Sequence, residues 1–279
     1  MLDDPYIDPR TGIFRNKAGL VTQKELDGFE AEQTWLRLSE LAAKPLPGNF
    51  DAAHFRDIHR FIFQDVYDWA GELRTMNAPK IEGSRATHFT PCREIQAELH
   101  FLFDRLAADG LLRGSTRAQF VVKGAALLGE LNHIHCFREG NGRAQKCFLE
   151  GLALQAGHSL DFSLASRERM IVACIAFDAG NSAPMEHLLT DLGDPVKRRQ
   201  LSDAIEFLES QRYDWQLREL ACVQPGHTYS GQLVGRNGND ILFHDGRQGI
   251  WIGSDEDAGR QLRSGDWFTY LARSEPQGE

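Results

Sequence analysis

Residues 133 to 146 contain, within fourteen positions, a group of side chains that could act together in catalysis. The segment is HIHCFREGNGRAQK, with His135, Glu139 and a Gly-Asn-Gly triplet followed by Arg143 and Lys146. Glycines let a backbone approach a phosphate closely and adopt positive φ. The composition is therefore that of a phosphate-binding loop placed just after a histidine.

The position of this loop between two helices supports the same interpretation. An apolar helix precedes it, and helical spacing resumes at about Arg143, so Gly140, Asn141 and Gly142 lie at a helix N-terminus. Free backbone amides and the positive end of the helix dipole favour an anion there. Arg143 and Lys146 are three residues apart, so both cations can face one bound polyphosphate.

Glu139 and His135 supply what a phosphate loop alone lacks. An acid among phosphate-binding groups is explained by a hard cation such as Mg²⁺ held between carboxylate and phosphate oxygens. His135 stands where it can take a proton from an attacking hydroxyl. Singly, a Gly-Asn-Gly is usually a turn and two cations a solvated helix face, so the prediction depends on the ordered set. That set predicts transfer of a phosphate-containing group from a nucleotide.

No similar grouping surrounds the other histidines. We expect no catalytic part for the histidines outside this set, which include His54, His59, His88, His100 and His133.

Helices must position the loop, and the first two-thirds of the chain has helical spacing. Thr22 and Glu25 form a capping box, while Thr90 and Pro91 predict the N-cap and first residue of a later helix that Gly110 ends. Helices are predicted from 22 to 43, from 51, from 90 to 110, from 115, and at 143–156, 165–179, 184–192 and 195–210.

Two segments have a β pattern instead. Turn-forming residues in GELRTMNAPKIEGSRATHFTP predict a β-hairpin over about 72–89, with a surface loop as the alternative. From Gly226 onward, short alternating segments with a turn at Asn237-Gly238 are followed by a short helix and a last strand in DWFTYLA. This order suggests a small β-barrel of the OB type.

Composition limits the function further. A chain of 279 residues with 42% hydrophobic and 25% charged residues is an ordinary globular protein. The net charge of -9, with ten acidic against six basic residues in 214–279, argues against nucleic acid as a partner. The sequence shows no apolar membrane span and no signal peptide, and five scattered cysteines predict a reduced, cytoplasmic chain. Translocation by another route stays open.

The run from His135 to Lys146 resembles the Fic-family motif H-x-F-x-[D/E]-G-N-G-R-x-x-R. Every specified position matches except the last, where Lys146 replaces arginine. FRDIHRFIFQDVYDWAGELRTMN also resembles the family's helix leading into a flap hairpin, so the likeness covers about residues 20–195. The resemblance implies a mainly α Fic fold over 1–210, a helical bundle with a β-hairpin flap, followed by the small OB-like barrel over 211–279. This architecture resembles type IV secretion effectors and related toxins.

What the resemblance implies is a protein adenylyltransferase, which transfers AMP from ATP to a hydroxyl side chain of a target protein. On this basis His135 is the general base, Glu139 holds Mg²⁺, and Gly140, Asn141 and Gly142 form the anion hole. Arg143 and Lys146 bind phosphate, and Phe137 anchors the loop in the core. The flap aligns the target chain by strand-like pairing and covers the nucleotide, with Lys80 and Ile81 as its contact residues toward the nucleotide.

Two points of the family pattern concern regulation and alternatives. Lys146 keeps the charge but loses the planar fork of arginine, so weaker γ-phosphate binding is expected. The chain has no inhibitory [S/T]-x-x-x-E-[G/N] segment, so a small antitoxin acting in trans is expected. Alternatives are a Doc-like kinase, transfer of another nucleotide such as UMP, and a non-catalytic protein-binding module.

Overall fold

The structure is a computed structural model that describes residues 4–77, 80–82, 85–87, 89–258 and 262–273. The helices in these ranges are α1 (Gln23–Ala43), α2 (Ala52–Phe63), α3 (Ile95–Ala108), α4 (Arg117–Ile134), α5 (Asn141–Gln155), α6 (Arg167–Asp178), α7 (Ala183–Gly193), α8 (Pro195–Ser210) and α9 (Asp255–Ala258). The strands are β1 (Lys80–Glu82), β2 (Arg85–Thr87), β3 (Glu219–Cys222), β4 (Thr228–Asn237), β5 (Asp240–His244), β6 (Gly249–Ser254) and β7 (Trp267–Leu271). None of the described helices is both long enough and apolar enough to cross a membrane.

The chain divides into two compact units. Unit 1 comprises residues 1–116 and 126–158, and unit 2 comprises residues 117–125 and 159–279. The last three long helices, α6 to α8, thus belong with the sheet of unit 2. This division into compact units does not test whether the Fic domain ends at residue 210. The predicted boundary between residues 210 and 211 therefore stays a prediction.

Side-chain caps fix the starts of the first two helices. The Thr22 hydroxyl accepts a hydrogen bond from the Glu25 amide at 3.3 Å and donates one to the Glu25 carboxylate at 2.6 Å. Asp51 accepts from the His54 amide at 2.8 Å and caps α2. Such caps satisfy amides that have no partner inside the helix. Both predicted starts are confirmed.

The predicted start of the third helix is wrong. Helix α3 begins at Ile95 with Glu94 at its N-cap, and Thr90 caps nothing. The Thr90 amide donates to the carbonyl of His133 at 3.2 Å, and the Thr90 carbonyl accepts a hydrogen bond from Arg74. Because both backbone groups of Thr90 are bound to distant residues, the segment after it makes a turn before the helix starts.

Aromatic packing between helices forms the core of unit 1 beneath residues 135–146. Phe55 of α2 lies 5.4 Å from Phe148 of α5 and 5.3 Å from Phe137, measured between ring centroids. Phe137 is fully buried, which confirms that it anchors the loop. The loop is therefore fixed to the core at its centre.

The predicted hairpin is present as a two-stranded antiparallel sheet. Lys80 pairs with Thr87, Ile81 with Ala86 and Glu82 with Arg85. We call residues 72–89 the flap. The predicted turn residues Pro79, Gly83 and Ser84, and His88 after β2, lie outside the described residues.

Unit 2 contains a small sheet of five strands in the order β3-β6-β5-β4-β7. Strands β4, β5 and β6 form an antiparallel meander, β7 pairs with β4, and β3 runs parallel to β6. The β3 strand was missed in the sequence because it has only four residues, ELAC, and three successive positions in it are buried. A strand that is buried on both faces shows no alternation.

A buried charged cluster ties the helices of unit 2 to β3. Asp191 is fully buried and accepts from Arg169 at 2.6 Å, and the Lys197 amine lies 3.2 Å away. His187 lies 3.3 Å from the same carboxylate, and the Cys222 amide of β3 donates to it at 3.1 Å. Although burial alone raises the pKa of Asp191, the cations around it hold that pKa below its ordinary value. Asp191 is thus a buried carboxylate kept ionised by its neighbours.

Candidate active site

The histidine of the loop lies directly after the last turn of α4. His135 has a φ of 46°, a left-handed conformation that is uncommon outside glycine, while its amide still donates to the Leu131 carbonyl at 3.0 Å. The imidazole Nδ1 lies 3.3 Å from the Asn132 carbonyl. Because a carbonyl only accepts, Nδ1 carries the hydrogen and Nε2 is the nitrogen that can accept a proton.

The amide of Asn141 closes the loop on itself. Its Oδ1 accepts from the Phe137 amide at 2.9 Å, and its Nδ2 donates to the Phe137 carbonyl at 2.8 Å. Asn141 is buried, so this side chain is committed to loop structure. The predicted role of Asn141 in an anion hole therefore depends on its backbone amide, which lies at the N-terminus of α5.

The two glycines of the triplet have different surroundings. Gly140 has a φ of 82°, and a Cβ there would lie 2.2 Å from the ring of Phe63. Both conformation and space thus require glycine at this position. Gly142 lies in the first turn of α5, and a Cβ there would meet no atom of the described residues within 4 Å. The space beside Gly142 is open, as an approaching ligand needs.

A buried histidine that the sequence analysis discounted supports the loop from below. His59 of α2 stacks on Phe137, with ring centroids 3.8 Å apart. Burial lowers the pKa of His59 to about 4, so the ring is neutral. Its Nδ1 accepts from the Gly71 amide at 2.8 Å, so Nε2 donates to the Glu139 carbonyl at 2.9 Å. This supporting contact of His59 was not predicted from the sequence, because His59 and Glu139 are 80 residues apart along the chain.

Glu139 presents its carboxylate at the mouth of the loop. Its side chain is 44% exposed, and Oε1 accepts from the Gly140 amide at 2.9 Å. No three His, Cys, Asp or Glu side chains within the described ranges converge to hold a metal by themselves.

Arg143 is held on three sides. Its guanidinium donates to Glu30 of α1 at 2.6 Å and to Thr34 at 3.1 Å, and it lies 4.6 Å from the ring centroid of Phe63. The other Glu30 oxygen accepts from the Tyr67 hydroxyl, and burial, followed by this contact, raises the pKa of Tyr67. Glu30 was not predicted, because a glutamate on a helix 113 residues away carries no signal in the sequence. The guanidinium thus faces the loop with part of its charge already compensated.

The remaining predicted residues lie on α5 and on the flap. Lys146 lies one turn beyond Arg143 on α5 and is half-buried. Lys80 and Ile81 belong to β1, but their side chains lie outside the described part of the structure. The structure therefore brings together His135, Glu139, the triplet and Arg143, and leaves the predicted flap contacts as predictions.

The fold and the loop define a helical protein in which a histidine and a glycine-containing loop precede the N-terminus of a helix. The model of the Fic/DOC family matches residues 49–152, which include the whole loop. A crystal structure of the N-terminal Fic domain of a Bartonella quintana effector with bound ADP has 33% sequence identity and a TM-score of 0.64, covering 68% of this chain and 94% of that one.

The chain belongs to the Fic/DOC family. The type IV secretion system effector protein BepA has 30% identity and a TM-score of 0.89, covering 98% of this chain and 97% of that chain. This match includes the five-stranded sheet, so the mainly helical Fic fold with a small C-terminal sheet is confirmed.

A Bartonella henselae protein named protein adenylyltransferase is 34% identical over an alignment of 245 residues that covers 82% of this chain. The chain spans 44% of the length of that relative.

Proposed function

We propose that this protein is an adenylyltransferase that transfers AMP from ATP to a hydroxyl side chain of a target protein. The observation that carries the proposal is that His135, with Nε2 as its proton-accepting nitrogen, lies two residues before Phe137, whose backbone is hydrogen-bonded to Asn141 at the N-terminus of α5. The name of the Bartonella henselae relative and the ADP bound to the Bartonella quintana domain support the same chemistry.

The transfer needs one proton acceptor and a clamp on the phosphates. His135 takes the proton of the target hydroxyl as the hydroxyl oxygen attacks the α-phosphorus, and the bond between that phosphorus and the bridging oxygen to the β-phosphate breaks. Pyrophosphate leaves, and the target carries AMP. The backbone amides at the start of α5, with Arg143 and Lys146, stabilise the negative charge on the phosphates. Glu139 would hold Mg²⁺, which neutralises charge on the α- and β-phosphates when bound.

Labelled nucleotides test the reaction. The protein is incubated in cell lysate with ATP labelled at the α or the γ position. Label transferred to protein from the α position alone supports AMP transfer, whereas label from the γ position alone supports a kinase. If neither is transferred, α-labelled UTP separates UMP transfer from a non-catalytic module.

A matched pair of variants assigns the base. We expect His135→Ala to reduce labelling by about 10²–10⁴-fold, the usual contribution of a general base. His133→Ala removes an exposed histidine two residues earlier on α4 and should leave labelling unchanged. Equal labelling by His135→Ala and the unmodified protein would contradict the assignment.

The flap is proposed to align the target chain. Each strand of a two-stranded sheet keeps one edge that can pair with an added strand. Lys80 and Ile81 are the proposed contacts because they lie on β1. Replacing Ile81 by Asp should raise the KM for the target protein more than the KM for ATP.

An inhibitory partner is proposed in trans, because the chain contains no [S/T]-x-x-x-E-[G/N] segment. Purification of the tagged protein from its native cells should recover a small protein in stoichiometric amount. Its absence at full recovery of the tagged chain would contradict the proposal. Labelling in lysates of the producing cells and of a foreign cell separates a toxin acting in the cytoplasm from a translocated effector.

The five-stranded sheet is proposed to be OB-like and to contact protein. Its meander and the helix α9 before β7 support the assignment, and the excess of acids in 214–279 argues against nucleic acid. Fluorescence anisotropy with single-stranded DNA at low salt should show no binding, and saturable binding would contradict the proposal.

A further inference from the structure

The imidazole of His135 is stacked on an aromatic ring from the end of the flap. The ring centroids of Phe89 and His135 are 3.8 Å apart, and the ring planes are 9° from parallel. With Nδ1 facing the Asn132 carbonyl, this stacking fixes the plane in which the imidazole lies. The direction of Nε2 follows from that plane.

Arg74 joins the same histidine to both ends of the flap through the backbone. It is 2% exposed, and its guanidinium donates to the His135 carbonyl at 2.7 Å. It also donates to the carbonyls of Met76, at 2.8 Å, and Thr90. One buried side chain thus fixes the loop at His135 and the flap at residues on either side of its strands.

Further backbone bonds make this junction rigid. The Arg74 amide donates to the Cys136 carbonyl at 2.8 Å, and the Thr90 amide donates to the His133 carbonyl at 3.2 Å. The Asn77 side chain accepts from the Cys92 amide at 2.8 Å and closes the base of the flap. The left-handed backbone at His135 is held by these neighbours, as a strained residue requires.

We propose that Phe89 is a positioning residue that sets the orientation of the catalytic imidazole and couples it to the flap. The inference rests on the proposed function, because it assigns a role toward the same transfer reaction. A histidine ring turns easily about its last side-chain bond, since that torsion is broad. A ring stacked against it on a segment fixed by Arg74 removes this freedom before the target hydroxyl arrives.

Phe89 is the second residue after the end of β2, and its ring stacks on the imidazole of His135. A target strand paired to the flap and the base that activates its hydroxyl are thus connected through only a few residues. Phe89 acts through His135 and is not itself assigned contact with the nucleotide.

Kinetics of conservative variants test the role. Phe89→Leu keeps an apolar side chain but removes the flat ring, so kcat for AMP transfer should fall about 10- to 100-fold, with the KM for ATP within about twofold. Phe89→Tyr restores a ring and should restore kcat to within about threefold. Phe101→Leu, at an exposed phenylalanine of α3, is the matched control and should match the unmodified protein. A Phe89→Leu variant with full kcat would overturn the proposal.

A second measurement does not depend on transfer activity. NMR spectra of protein with labelled histidines show the His135 resonances, which are assigned by their loss in His135→Asn. Stacking on Phe89 should shift the ring-proton resonances upfield, and Phe89→Leu should abolish this shift and broaden the signals by ring motion. Phe89→Tyr should keep the shift.

The two measurements separate the possible failures. If the unmodified protein transfers no label, the proposed function fails, and the NMR comparison alone decides the positioning role. His135 resonances that are unchanged in Phe89→Leu would overturn the role in either case. A fall in kcat with no change at the imidazole would also overturn it, because the ring would then act by another route.

Discussion

Residues 135–146 in unit 1 contain a histidine, a carboxylate and three cations, and the charged cluster of unit 2 contains a histidine, a carboxylate and two cations. In the loop, the carboxylate of Glu139 is 44% exposed and its nearest cation, Arg143, lies 3.5 Å away. In the cluster, Asp191 is completely buried and contacts Arg169, His187 and Lys197. The same types of side chain are open in one place and sealed in the other.

The difference teaches that solvent access decides what such a group can do. In unit 2 the charges of Arg169, Lys197 and Asp191 compensate one another in a buried space. In unit 1 the cations and amides converge beside open space at Gly142, where an anion can be added. Removing a charge should therefore lower the free energy of unfolding in unit 2 and lower the rate of AMP transfer in unit 1.

The largest expected effect is on the stability of unit 2. Asp191→Asn leaves Arg169 and Lys197 near a neutral group, so the free energy of unfolding should fall by about 3–5 kcal/mol. Asp203→Asn, in an exposed pair with Arg199 at 3.7 Å, is the matched control and should cost at most about 1 kcal/mol. Urea unfolding measures both, and equal losses would contradict the comparison.

The two loop glycines separate folding from ligand binding. Gly140→Ala forces a Cβ into the Phe63 ring at a positive φ and should lower the free energy of unfolding by about 2–4 kcal/mol. Gly142→Ala should leave stability unchanged or raise it by up to about 1 kcal/mol, since alanine favours a helix. Its methyl group fills the open space, so we expect the KM for ATP to rise. An unchanged KM would show that the phosphate lies elsewhere.

Acid should weaken both units through buried histidines. Burial lowers the pKa of His187 and of His59 to about 4, below the value near 6.5 of an unfolded chain. Between these values the unfolded chain binds more protons, so stability falls as the pH drops from about 6.5 to about 4. Each histidine contributes a slope of up to about 1.4 kcal/mol per pH unit.

Urea unfolding at pH 7, 6 and 5 measures that slope. His187→Gln keeps a donor toward the Cys222 carbonyl. This substitution should remove the contribution of one histidine, up to about 1.4 kcal/mol per pH unit, from the pH dependence of the unfolding free energy. His59→Gln should do the same for unit 1. A slope that neither substitution changes would mean that other groups titrate on unfolding.

The smallest expected effect is at the one position where the loop departs from its family motif. Lys146→Arg adds a planar fork that can bind a phosphate through two hydrogen bonds, so the KM for ATP should fall about two- to fivefold. Lys24→Arg, at an exposed position of α1, is the control and should change nothing. A higher KM in Lys146→Arg would show that lysine is the better ligand in this chain.

The sequence was sufficient for features whose parts are adjacent along the chain. The caps at Thr22 and Asp51 lie within four residues of the amides they bind, so local composition predicts them. The start of α3 could not be predicted in this way, because Arg74 and His133 bind the backbone of Thr90 across the fold. Strand β3 was not predicted, because its pairing partner β6 is separated from it along the chain by β4 and β5.

The sequence by itself determined the order of the loop: base, anchor, carboxylate, glycine triplet and two cations within twelve residues. Contiguous residues at a helix start keep their order in any fold, so their spacing carries the chemistry. Only the tertiary structure decided that Asn141 binds Phe137, that Glu30 holds Arg143, and that Phe89 faces His135. These contacts depend on where distant elements meet, and burial sets their strength after the chain has folded.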